Sequence, residues 1–462
     1  MRNFIGRLVE RVNRSVAGLR TRATVALIAL LSADRRRAPG IWGSATVLRQ
    51  LLGLGALVLV SACTSVNPYF DAAKPHHTPT GFRNNYGPPG GKPLSDLLRW
   101  YVDRMRDGLP QPPSRHVNGY DFPLLRPDLD WLRINRELPS VTWVGHATLL
   151  VQIGGVNVLT DPQFSERAFA VQWMGPKRRV PLTVKLHELP RIDLVVISHS
   201  HYDHLDRDTV MALAAQPGGP PLFLVPLGIE RWLADIGVTR TRALDWWDRT
   251  TYDGLDIHFV PAQHWSARTP FDRNATLWGG WVIRHPTFSF YFAGDTGYSK
   301  DFVDIGERFG GFDLAAIPVG AYLPRWFMKD QHVDPDEAAQ IHVDVRARQS
   351  IGIHWGSFEL TDEPLDAPIG ELARAKRERG LDDEAFILLR HGETRRLLPR
   401  LADLKQPGKS PWPQTHEPAR LDAVAMNTLR PPATNGRNEP DERRDRERHA
   451  HGGRVPATAE QE

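Results

Sequence analysis

The densest chemistry in the chain is His199-Ser200-His201-Tyr202-Asp203-His204, three imidazoles and a carboxylate within six residues. It follows the apolar run Leu194-Val195-Val196-Ile197-Ser198, which reads as a buried strand. Donors placed where a strand opens into a loop can converge on one point, and imidazole with carboxylate suits zinc. The one-residue spacing lets His199 and His201 point the same way, while Asp203 and His204 turn toward a second position. Three more donors close apolar runs: His264 after Phe259-Val260-Pro261-Ala262-Gln263, Asp295 after Phe290-Tyr291-Phe292-Ala293-Gly294, and His354 after Ser350-Ile351-Gly352-Ile353. Strand ends gather on one edge of a sheet. Seven ligands exceed the needs of one tetrahedral ion and suit two ions about 3.5–4 Å apart, bridged by a carboxylate. Cys63 is the only cysteine, which excludes thiolate clusters and an internal disulfide framework.

Positioning these donors requires many short strands. Thr148–Ile153, Gly154-Gly155 and Val156–Thr160 read as two strands joined by a glycine turn. Similar runs occur at Leu222–Val225, Ile257–Val260, Trp278–Ile283, Ser289–Phe292, Leu314–Val319 and Ser350–His354. Helical stretches fall between some of them, at Arg207–Ala215, Ile229–Ile236, Ser299–Phe309, Pro335–Arg346 and Ile369–Arg379. Asp334 before Pro335 is an N-cap followed by a first-turn proline. The pattern predicts an α/β fold, two packed mixed sheets with helices outside.

The chain has 462 residues, 41% hydrophobic and 24% charged, with 38 prolines, 38 glycines and 14 tryptophans. That composition fits a loop-rich globular body rather than a helical bundle. The net charge of +4 is unevenly spread: residues 1–50 hold ten arginines against Glu10 and Asp34, so the chain from Cys63 onward is mildly acidic. Such a body gives no support for nucleic-acid binding.

Leu51–Val60 is a short apolar core behind Arg49 and ends in Ser61-Ala62-Cys63, the layout of a secretory signal and too short to span a bilayer comfortably. Val60-Ser61-Ala62-Cys63 resembles the lipobox of bacterial lipoproteins, which implies a lipidated Cys63, a membrane anchor and the cell envelope. The alternative is a short transmembrane anchor or buried helix with a chance cysteine. The expected organisation is a leader over 1–62, a tether and irregular lead-in over 63–139, a catalytic domain over 140–400, and a disordered charged tail over 405–462.

Further motifs are Thr142-Trp143-Val144-Gly145-His146-Ala147-Thr148, Leu159-Thr160-Asp161-Pro162, Met174-Gly175-Pro176-Lys177-Arg178, Asp245-Trp246-Trp247, Phe292-Ala293-Gly294-Asp295-Thr296-Gly297-Tyr298, Pro324-Arg325-Trp326-Phe327-Met328 and Gln331-His332-Val333-Asp334-Pro335. Together with the histidine cluster they resemble the metallo-β-lactamase superfamily, in its N-acylphosphatidylethanolamine-hydrolysing phospholipase D branch, from about Ser140 to Gly392. The resemblance implies a metallo-β-lactamase-like αββα sandwich and two zinc ions. One zinc is held by His199, His201 and His264, the other by Asp203, His204 and His354, with Asp295 bridging. It also implies a phospholipid substrate, hydrolysed to phosphatidate and an N-acylethanolamine, with Tyr202 and His332 as substrate contacts. Asp295 and His332 are the expected catalytic groups, His332 serving the leaving oxygen or orienting the head group. The same cage on a lactone or another phosphodiester is the alternative enzyme; a zinc-binding envelope lipoprotein without activity is a third reading. The oligomeric state is open, a homodimer included.

Other residues carry two readings each. Asp161 either takes the outer proton of a ligand histidine or makes an Asp-Pro turn. His146 is expected to brace its strand from inside, not to ligate. Lys177, Arg178 and Arg179 meet a phosphate or a membrane, or form a solvated run. Trp246, Trp247, Trp265, Trp326 and Phe327 line an acyl groove or fill the core.

Overall fold

In a computed structural model of the chain, residues 66–87, 92–110 and 120–397 are described. The expected leader, Cys63 and the charged tail lie outside these residues. Among the described residues no helix is long and apolar enough to cross a membrane.

A small ribbon of β1 (His77–Thr78) and β2 (Gly81–Phe82) is followed by helices α1 (Leu94–Asp107) and α2 (Leu129–Ile134). Then come β3 (Ser140–Gly145), β4 (Thr148–Ile153), β5 (Val156–Thr160), β6 (Leu194–Val196), α3 (Arg207–Ala214), β7 (Leu222–Pro226), α4 (Ile229–Asp235) and β8 (Thr241–Leu244). The second half holds β9 (Arg249–Tyr252), β10 (Leu255–Val260), β11 (Gly280–His285), β12 (Phe288–Phe292), α5 (Asp301–Phe309) and β13 (Phe312–Pro318). It continues through α6 (Arg325–Met328), α7 (Pro335–Asp344), β14 (Ala347–Ile353), α8 (Ala367–Arg379), β15 (Phe386–Ile387) and β16 (Thr394–Arg396).

Two seven-stranded sheets result, ordered β16-β3-β4-β5-β6-β7-β8 and β15-β14-β13-β12-β11-β10-β9. Successive residues of the first sheet divide between two apolar layers. Leu149, Val151, Val158, Leu194 and Val196 face Phe259, Trp281, Phe290 and Phe292 of the second sheet. Leu150, Leu159, Val195 and Ile197 instead pack on Leu132, Val210, Leu213, Ile229 and Leu233 of the flanking helices. Both faces are covered, so these strands are buried at every position instead of alternating between buried and exposed. The arrangement is the αββα sandwich the sequence predicts.

Pairing fixes strand directions. β3, β5, β6 and β7 run the same way, as do β10, β12, β13 and β14. Their C-terminal ends therefore share one edge of each sheet.

The lead-in departs from the irregular segment expected. Trp100 of α1 packs with Leu97 on Phe327 and Met328, its Nε1 donates to Asp362 Oδ1 at 3.0 Å, and Arg104 donates to the Leu360 carbonyl at 3.0 Å. Tertiary packing of this one face holds a helix that local composition hides. Upstream, Asp245 accepts from His76 Nε2 at 2.7 Å, His77 Nε2 at 2.9 Å and Lys74 Nζ at 2.5 Å. This buried knot ties residues 74–77 to the corner after β8.

Candidate metal centre

All seven expected donors lie just beyond strand ends on the shared edge, and the structure brings them together. His199, His201 and His264 present ring nitrogens within 4.8 Å of one another. Asp203, His204 and His354 do the same, joined by His146. Backbone strain marks the same edge: Asp161 and His354 sit at φ 33° and 61°, and His146 at φ 55°. Side chains other than glycine rarely adopt such values, and where they do the surrounding structure holds them.

Hydrogen bonds fix which nitrogen each ring offers. Asp161, fully buried, accepts from Ser198 Oγ at 2.5 Å, from the Ser198 amide at 2.7 Å and from His204 Nδ1 at 2.7 Å. Ser198 has spent its proton on Asp161, so its oxygen accepts from His199 Nδ1 at 2.9 Å. His264 Nδ1 donates to the Gln331 carbonyl at 2.9 Å. Three rings thus hold their Nδ1–H outward and turn Nε2 into the cluster, the arrangement that orients metal-binding imidazoles. Of the two readings open for Asp161, the geometry matches the proton-accepting one. Asn84 pins His264 at both backbone groups, at 3.1 and 3.0 Å. The lead-in is therefore part of the site's support, and it also walls a cavity of about 540 Å³ beside His264 and Trp265.

Inside the cluster, His201 Nδ1 lies 2.8 Å from His199 Nε2 and 3.3 Å from His264 Nε2. Three imidazole nitrogens that close cannot all satisfy one another. Asp295 Oδ2 stands between the two groups, 3.0 Å from His354 Nε2, 3.2 Å from His204 Nε2 and 3.9 Å from His264 Nε2. Asp295 Oδ1 and His204 Nε2 are buried without a hydrogen-bond partner. Buried polar atoms are rarely left so; a cation pair at this point would satisfy them, and the residues present fit it.

Electrostatics point the same way. Burial pushes His199 and His264 well below the usual imidazole range, and His201 to about 3. Burial would raise the Asp203 and Asp295 carboxyls, but His204 beside them holds both well below their usual range. His354 is lowered by burial and raised more by Asp295 and Asp203, to about 9. Burial lowers His204 too, but Asp295, Asp203 and Asp161 raise it well above the usual imidazole range; the two carboxylates demand positive charge, and metal uptake at such a site releases protons from its ligands.

The remaining residues divide. His332 Nδ1 is buried without a partner 3.9 Å from Asp295 Oδ2, and burial pushes the ring to about 4, so it is neutral near pH 7. The Tyr202 hydroxyl donates to the Arg268 carbonyl at 2.7 Å, and its ring lies against the Arg268 guanidinium and Phe169. Trp265 packs edge-on to His201, centroids 4.3 Å apart. Trp246 and Phe327 are buried core and Trp326 is exposed. The three adjacent cations do not act together. Lys177 pairs with Glu166 at 2.8 Å, Arg179 pairs with Glu359, and Arg178 stacks over Phe358 at 4.6 Å and donates to the Gln163 carbonyl at 2.7 Å. His146 is the residue that sequence reasoning misplaced: its ring enters the cluster, Nε2 3.0 Å from Asp203 Oδ2. Its place at the end of β3 was the available signal.

A family described as "Beta-lactamase superfamily domain" matches residues 156–355. N-acyl-phosphatidylethanolamine-hydrolyzing phospholipase D 1 of Caenorhabditis elegans is 42% identical over 268 residues, covering 54% of this chain and 74% of that protein. A UPF0173 metal-dependent hydrolase of Methanopyrus kandleri is 30% identical over 251 residues, 54% of this chain and 96% of that one. Among solved structures, a metallo hydrolase from the archaeon Ignicoccus hospitalis is 21% identical with a TM-score of 0.44, covering 56% of this chain and 97% of that one. The chain belongs to the metallo-β-lactamase superfamily of metal-dependent hydrolases, in the branch that contains N-acyl-phosphatidylethanolamine-hydrolysing phospholipase D.

Proposed function

We propose that this hydrolase is a dinuclear-zinc phosphodiesterase that cleaves N-acylphosphatidylethanolamine-type phospholipids into phosphatidate and N-acylethanolamine. The 42% identity to the nematode protein of that name, over 74% of its length, carries the reading, and the paired donor groups support it. His199, His201 and His264 hold one ion, Asp203, His204 and His354 the other, and Asp295, with one oxygen facing both groups, lies between them. When bound, such a pair supplies water acidic enough to act near neutral pH and neutralises phosphoryl charge.

The chain's own residues supply the rest. In the reaction a P–O bond to water's oxygen forms and the P–O bond to the ethanolamine oxygen breaks. The proton lost by the water ends on that leaving oxygen. His332 stands at the rim with a free, neutral ring, suited to orienting the head group or the leaving oxygen by a hydrogen bond. Trp265, edge-on to His201, walls the approach. The lipobox-like Val60-Ser61-Ala62-Cys63 supports a bacterial envelope lipoprotein held at the membrane where its substrate lies.

The test is mass spectrometry of products after incubating purified protein with N-acylphosphatidylethanolamine vesicles, with a lactone panel alongside. Phosphatidate and N-acylethanolamine in equal amounts support the reading. Turnover of lactones alone, or zinc uptake with no turnover, contradicts it.

A further inference from the structure

His146 is fully buried, yet it is neither among the seven expected donors nor packed as a strand brace. Its backbone is locked from three sides. The amide donates to Ser357 Oγ at 2.9 Å, and the carbonyl accepts from Trp143 Nε1 at 2.9 Å and from the His354 amide at 3.1 Å. Held at φ 55°, the residue turns its ring off the end of β3 and into the cluster. There Nε2 lies 3.0 Å from Asp203 Oδ2, and the ring centroid lies 4.1 Å from that of His354 and 5.4 Å from that of His204. All these contacts reach one donor group, Asp203, His204 and His354. None reaches His199, His201 or His264.

At 3.0 Å an imidazole lone pair and a carboxylate oxygen repel, so the proton sits on Nε2 and donates to Asp203. Nδ1, buried and without a partner, is then a bare acceptor, which is tolerated better than an unpaired N–H. The same Oδ2 lies 3.2 Å from His354 Nε2 and 3.3 Å from His204 Nε2, so a donor fixed on that oxygen fixes how the rotatable carboxylate faces these two rings. The residues that orient metal ligands in this way affect affinity nearly as much as the ligands do.

We propose that His146 is a positioning residue which, through Nε2–H, orients Asp203 and so sets cation affinity at the Asp203/His204/His354 position but not at the His199/His201/His264 position. This rests on the two-cation reading above.

The experiment compares full-length wild type with His146→Leu, which removes the donor, and His146→Gln, which keeps an N–H near the same place. Zinc per chain is measured by mass spectrometry during chelator titration, and cobalt absorption reports the two environments. Wild type is expected to release two ions in separate steps. His146→Leu should release one of them about 10–100-fold more readily with the other unchanged, and His146→Gln should restore most of the difference. Retention of the unchanged ion shows that the variant is folded at the site. Equal weakening of both ions, or of neither, overturns the assignment while leaving the two-cation reading standing. Fewer than two ions in wild type overturns both. Should the leucine variant fail to fold, nitrogen NMR of wild type decides. An Nε2–H tautomer at His146 supports the assignment, and an Nδ1–H tautomer, or coupling of Nε2 to bound ¹¹³Cd, contradicts it.

Discussion

His204 Nδ1 donates to Asp161 Oδ2 at 2.7 Å, while its other nitrogen turns without a partner toward Asp295. One carboxylate, a single hydrogen bond behind the donors, thereby sets the direction of His204 and, through Ser198, of His199. Replacing Asp161 with Ala should weaken metal retention about 10–100-fold and leave buried donors unpaired at a cost of about 1–3 kcal/mol. Metal content and the melting temperature of the metal-free protein check the two parts separately. Asp161→Asn, which keeps an acceptor oxygen, should fall between.

Gly294 lies at φ 65°, and a Cβ there would come within 2.7 Å of Ser198 Cβ and 3.0 Å of the Gly279 carbonyl. The turn that delivers Asp295 is thus pressed against the residue that orients His199. Gly294→Ala should lower stability by at least about 1–2 kcal/mol from the left-handed backbone alone, and reduce bound metal as Asp295 shifts. A variant with wild-type unfolding midpoint and full metal content would show that the close approach has no such role.

His332 separates binding from chemistry. His332→Ala should retain both ions, because the ring contacts the donors without being one of them, and should lower kcat on a phosphodiester substrate by at least about tenfold. Unchanged kcat with metal intact would remove His332 from the mechanism.

The knot at Asp245 gives the fold a dependence on acid that is independent of the metal centre. Burial alone would raise this carboxyl; hydrogen bonds from His76 and Lys74 outweigh it and hold it well below its usual range. A group depressed in the folded state contributes stability above its unfolded pKa of about 3.9 and loses it as pH falls below that. Asp245→Asn should therefore be less stable than wild type at pH 7, and the gap should narrow as pH falls from about 4 toward 2. Denaturant midpoints across that range check the sign. Proteolysis of residues 66–87 should also quicken in the variant, since the knot ties this segment down.

The parts of the site legible in the sequence were those whose meaning is local. His199 through His204 declare themselves by spacing, and His264, Asp295 and His354 by closing apolar runs. Asp161 could be weighed as an outer-shell acceptor for the same reason. His146 was misread because Gly145 and Ala147 supply no neighbouring donor. Its role depends on β3 running parallel to β5, a property of pairing that no short window contains. Helix α1 was hidden because its packing face, Leu97 and Trp100 with Arg104, is scattered among charges and meets partners more than 220 residues away. Lys177, Arg178 and Arg179 are adjacent in sequence but diverge in space, since successive side chains of extended chain point to opposite sides.

Seven donors from separate strand ends are proposed to hold a pair of cations, with Asp295 between them. A crystal of the zinc-loaded protein, measured on both sides of the zinc absorption edge, addresses this directly. Two anomalous peaks are expected, one among His199, His201 and His264 and one among Asp203, His204 and His354, with Asp295 reaching both. A single peak, or zinc bound elsewhere with these side chains left to one another, would contradict it.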